Sequence, residues 1–74
     1  MNVRHLANMA NQIATFFATQ PGDAAEATAQ HIRQFWDPRM RTAISKHAEA
    51  GGEGLDPVAL AAVRLLAETK QPAG

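Results

Sequence analysis

Apolar side chains recur along this chain every three or four positions, which is the spacing of one face of a helix. In the first segment this face is widened by two further apolar residues, Met9 and Phe16. The apolar positions of the face itself are Val3, Leu6, Ala10, Ile13 and Phe17. With Asn2 available as the N-cap, the pattern predicts helix 1 over residues 1–19.

A turn containing Pro21 and Gly22 separates this segment from a second helix, predicted over residues 23–35. Asp23 and Glu26 have the three-residue spacing of a capping box. The predicted inner face begins with small side chains, which let another helix approach closely but bury little area. Its members are Ala24, Ala27, Thr28, His31, Ile32 and Phe35.

Two Asp-Pro pairs mark the starts of two more helices, predicted over residues 38–50 and 57–69. In each pair Asp37 or Asp56 can cap the helix, and the proline fits the first helical position, where its missing N–H is not needed. Gly51-Gly52 ends helix 3, because glycine readily adopts the left-handed conformation. The predicted inner faces are Met40, Ala43, Ile44 and His47 on helix 3, and Leu60, Val63, Leu66 and Ala67 on helix 4. The sequence therefore predicts an all-α fold, a small bundle of about four short helices forming a single domain over residues 1–74.

Composition indicates a thin core. Of the residues behind the 46% hydrophobic fraction, 16 are Ala, whereas Leu, Ile, Val and Phe together number 14. A chain of 74 residues buries only about 60% of the surface that its unfolded form exposes. The chain has no Cys to supply disulfides or thiolate ligands, so a partner protein is the remaining common source of stability. We expect an obligate or near-obligate subunit.

Charge is balanced overall but unevenly distributed. The net charge is zero, while residues 31–47 carry Arg33, Arg39, Arg41 and Lys46 against the single acid Asp37. The N-terminal region lacks both a cluster of positive charge and a long apolar run, so neither a signal peptide nor a membrane span is predicted. We expect a cytoplasmic protein without a membrane partner.

The sequence offers little for metal binding or catalysis. His5, His31 and His47 lack the paired i, i+4 spacing of a helical metal site, and no Cys accompanies them. Asp37 and Asp56 are accounted for as caps, and no phosphate-binding or nucleophile motif occurs. We therefore expect no catalytic, metal-binding or cofactor-binding residue in this chain.

Nucleic-acid binding is the alternative function. Helices 2 and 3 could form a helix-turn-helix that places Arg39, Arg41 and Lys46 on its second helix. Zero net charge, however, is not the basic footprint typical of such domains. A free-standing helical regulator of this kind would bind DNA with a strong dependence on salt, whereas an adaptor subunit would not bind it.

The junction between helices 2 and 3 is the predicted docking surface. Arg39 and Arg41 fall in the first turn of helix 3, where the helix dipole disfavours cations, so stability alone would not select them. Together with Phe35, Trp36 and Met40 they form the mixture of residue types that is enriched at protein interfaces. For Trp36 two interpretations stay open: an interface anchor, or a residue of the chain's own core.

A second candidate contact lies on helix 1. The polar residues Arg4, Asn8, Asn11 and Thr15 lie opposite the apolar face. Asn is a poor helix former, so Asn8 and Asn11 are candidates for hydrogen bonds to a partner, with a plain solvent-exposed face as the alternative.

Several of these segments together resemble the delta subunit of NAD-dependent, molybdenum-containing formate dehydrogenases. The resemblance extends from Leu6 to about Leu66, and the Phe-Trp-Asp-Pro-Arg-Met-Arg string is its most specific part. The segments are Leu6-Ala-Asn-Met-Ala-Asn-Gln-Ile13, Phe16-Phe17, His31-Ile-Arg-Gln-Phe-Trp-Asp-Pro-Arg-Met-Arg41 and Gly51-Gly-Glu-Gly-Leu-Asp-Pro57.

The resemblance implies a non-catalytic accessory subunit of a soluble, cytoplasmic hetero-oligomer. In that family the large catalytic alpha subunit carries a molybdenum bis-guanine-dinucleotide cofactor and iron–sulfur clusters, and other subunits carry FMN and reduce NAD. The delta subunit holds none of these groups and supports assembly, cofactor retention or stability. Whether it stays in the mature complex or acts only during maturation is open.

Overall fold

The computed structural model describes residues 2–70, and the side chains of residues 2–67, as four helices joined by short connections. Each helix begins and ends within two residues of its predicted bounds. No strand occurs in the described part of the chain, and the predicted all-α bundle is confirmed. The helices are α1 (Val3–Ala18), α2 (Ala24–Phe35), α3 (Pro38–Glu49) and α4 (Pro57–Lys70).

Local side-chain caps explain where the helices start. Asp37 Oδ1 accepts a hydrogen bond from the Met40 N–H at 2.9 Å, and Asp56 Oδ1 accepts one from the Ala59 N–H at 2.8 Å. These bonds satisfy backbone donors that have no partner within the first helical turn. Asn2 and Asp23 cap α1 and α2 in the same way.

Two consecutive glycines end α3. Gly51 and Gly52 have φ values of 122° and 69°, and the Gly52 N–H donates to the His47 carbonyl at 2.9 Å. This bond spans the end of the helix as in a Schellman motif, so the predicted stop signal is confirmed. Gly52 is buried, and a Cβ added there would lie 2.6 Å from Leu60 Cδ1. A side chain at this position would therefore displace Leu60 as well as strain the backbone.

Helices α1 and α4 each contact all three other helices, and all four helices contribute side chains to the core. Seven of the thirteen buried hydrophobic residues are alanines, which allow the helix backbones to approach closely. The buried set is Leu6, Ala7, Ala10, Ala14, Ala29, Ile32, Trp36, Ile44, Ala48, Ala59, Ala62, Val63 and Leu66.

The buried faces of α1 and α2 are rotated from the predicted ones. On α1 the core takes Ala7 and Ala14, whereas Ile13 and Phe17 are only half-buried. On α2 the prediction of an inward Phe35 is wrong, because its side chain is 70% exposed. Several large side chains of α1 and α2 thus lie at the edge of the bundle, while alanines of both helices are fully buried.

Candidate docking surface

An aromatic surface runs across one side of the α1–α2 pair. We define it as Phe16 and Phe17 near the end of α1, and His31 and Phe35 in the second half of α2. Phe16 is 59% exposed and Phe35 is 70% exposed, while Phe17 and His31 are half-buried. Because the buried faces of both helices contain alanines in place of these larger side chains, the four rings lie together at the surface.

The four rings form a continuous series. The Phe16 and Phe17 centroids lie 5.1 Å apart and nearly edge to face. The Phe17 and His31 centroids lie 6.1 Å apart, and the His31 and Phe35 centroids 4.7 Å apart. Ring pairs at such distances stabilise each other by about 0.5–1.5 kcal/mol beyond their buried area. The aromatic surface is therefore ordered by its own contacts.

A shallow groove of about 270 Å³ opens on the aromatic surface. It is lined mostly by hydrocarbon, and no Asp, Glu, Lys or Arg contributes to it. Its lining residues are Gln12, Ile13, Phe16, Phe17 and His31. Such a groove can accept an apolar side chain from another molecule, but it offers no pair of groups for acid–base chemistry.

Trp36 belongs to the core of this chain. Its side chain is 5% exposed and is part of the buried cluster, although Phe35 beside it faces solvent. Of the two interpretations left open by the sequence, the structure supports the core residue. Trp36 therefore offers almost no surface to a partner in this fold, and we define the docking surface without it.

Arg41 also has a role within the chain. Its Nη1 donates to the carbonyl oxygens of Arg33 and Trp36, both at 2.9 Å. These carbonyls lie at the C-terminal end of α2, where unpaired acceptors and the helix dipole both favour a cation. The inference that stability would not select this arginine is therefore wrong. Its guanidinium is directed at the end of α2, whereas the helix-turn-helix interpretation requires it to face DNA.

The other two residues of the predicted junction differ in exposure. Arg39 is exposed, whereas Met40 is half-buried and packs against the core. Of this predicted set, Phe35 and Arg39 are thus the side chains most accessible to another molecule.

Asn8 and Asn11 face different surroundings. Asn11 Nδ2 donates to the Gly54 carbonyl at 2.8 Å, and Asn11 Oδ1 accepts from the Asp56 N–H at 2.9 Å. Both bonds fasten α1 to the α3–α4 loop, a role that the sequence did not reveal. Asn8 is exposed and borders a second groove of about 280 Å³, lined also by Val3, Arg4, Ala7, His47, Glu53 and Gly54.

Sequence reasoning placed all four residues of the aromatic surface on inner faces, although it also assigned Phe35 to the predicted docking surface. One available signal was the width of the apolar face on α1. Met9 and Phe16 extend that face beyond the stripe that a surface helix of a small bundle buries. An apolar face too wide for the core indicates that part of it lies at the surface.

Two other kinds of site are absent from the part of the chain that the structure describes. No group of three or more His, Cys, Asp or Glu side chains could hold a metal ion there. None of the helices in that part is both long enough and apolar enough to cross a membrane.

Comparison with known proteins adds one finding. The family model described as NADH-dependent formate dehydrogenase delta subunit FdsD matches residues 5–63, a segment that contains the whole aromatic surface. Neither the curated proteins nor the solved structures contain a match to this chain.

Proposed function

Since this chain belongs to the family of NADH-dependent formate dehydrogenase delta subunits, we propose that it is a non-catalytic accessory subunit that docks on the catalytic alpha subunit of such an enzyme. Docking supports assembly of the complex, retention of its cofactors or its stability. In this proposal the chain works in the cytoplasm as one member of a hetero-oligomer.

The aromatic surface is the observation that supports docking. Phe16 and Phe35 are mostly exposed, although both are large apolar side chains whose exposure to water is unfavourable. The largest apolar patch on a typical monomer is about 300–600 Å² and is often functional. Aromatic residues are moreover enriched at protein interfaces. A partner that covers this surface would remove the unfavourable exposure.

The proposed role is structural and not chemical. The groove on the aromatic surface contains one titratable side chain, His31, and no adjacent nucleophile or carboxylate. In our proposal the molybdenum cofactor, the iron–sulfur clusters, FMN and NAD belong to the other subunits. This chain acts by covering an apolar area of the alpha subunit that would otherwise favour misassembly or cofactor loss.

Expression of the enzyme complex with and without this chain tests the proposal. We expect the complex made without it to contain less molybdenum per alpha subunit, while turnover per bound molybdenum stays nearly unchanged. Normal molybdenum content with a large drop in turnover per site would refute the assembly role and indicate participation in catalysis. Quantitative stoichiometry of the purified active complex then shows whether the chain stays bound after maturation.

A further inference from the structure

We draw no further inference here: the strongest candidate, the groove of about 280 Å³ between the start of α1 and the α3–α4 loop, is lined by exposed side chains of opposite charge, Arg4 and Glu53, so nothing in the structure shows which ligand or partner would occupy it.

Discussion

Adjacent residues at the end of α2 have opposite environments. Phe35 is the last helical residue and faces solvent, whereas Trp36 has extended backbone angles, with φ −89° and ψ 142°. Trp36 follows Ile32 by four residues and Ala29 by seven, so it continues the buried face of α2, whereas Phe35 lies about 100° away around the helix. The Asp37-Pro38 restart then begins α3 immediately. Helical spacing thus separates the core residue from the surface residue, and the extended backbone of Trp36 only ends α2.

Replacement of Trp36 by Ala should destabilise the isolated chain by about 3–5 kcal/mol, because it removes the largest core side chain and leaves a cavity. A domain of this size has little more stability than that in total, so most of the helicity should be lost. Urea unfolding followed by circular dichroism measures the effect. Phe35→Ala is the control and should lower the stability by no more than about 1.5 kcal/mol, because it removes only the ring contact with His31 and little buried area. A Trp36→Ala variant as stable as the wild type would contradict the assignment of this residue to the core.

At the scale of elements, polar side chains fasten the end of one helix and a loop to neighbouring helices. Arg41 in the first turn of α3 bonds the end of α2, so its unfavourable position in one helix dipole is offset by a favourable position in the other. Asn11 joins α1 to the α3–α4 loop across more than forty residues of sequence. These hydrogen bonds fix the positions of the α2–α3 junction and the α3–α4 loop, which alanine packing alone would hold only weakly.

Asn11→Ala should therefore lower the free energy of unfolding by about 2 kcal/mol, because it removes two hydrogen bonds and leaves the Asp56 N–H without its partner. Asn8→Ala, one helical turn earlier and exposed, should change it by less than about 0.5 kcal/mol. Denaturant unfolding of the two variants in parallel makes this comparison. If the two variants had the same free energy of unfolding, the hydrogen bonds of Asn11 within the chain would contribute no more to stability than its hydrogen bonds to water.

For the whole molecule, compact dimensions combine with a weakly stabilising core. The radius of gyration is 11.2 Å, close to the value of about 11 Å expected for a folded chain of this length. About half of the buried hydrophobic residues are alanines, and the core also contains the hydroxyls of Thr28 and Ser45, which have no hydrogen-bond partner among the described residues. Each unpaired buried hydroxyl costs about 1–3 kcal/mol. Such a chain is expected to gain much of its stability from a partner.

The purified chain alone should therefore unfold with a Tm below about 65 °C, within the usual mesophilic range. Thr28→Val should raise the Tm by roughly 4–8 °C, because it replaces the unpaired hydroxyl by a methyl group of similar shape. Thr15→Val, at an exposed position on α1, is the control and should have little effect. Thermal unfolding followed by circular dichroism measures all three proteins. A sharp transition of the wild type well above 65 °C, or no gain from Thr28→Val, would contradict this description of the core.

The sequence by itself determined where the helices begin and end. Asn2, Asp23, Asp37 and Asp56 cap backbone groups within three residues of themselves, and Gly51-Gly52 ends α3 through its own backbone conformation. N-caps and the glycine stop act only between residues that are close together in the sequence. They predict the same boundaries whatever the helices later pack against.

Only the tertiary structure decided which residues form the core and which form the aromatic surface. The apolar faces of α1 and α2 were wide enough to pack in more than one rotation, and the choice depended on the close approach that Ala7, Ala14 and Ala29 permit. The same packing brought Arg41 to the end of α2 and Asn11 to a distant loop. Helical periodicity specifies which side chains share a face, but the neighbouring helices determine how much of that face is buried.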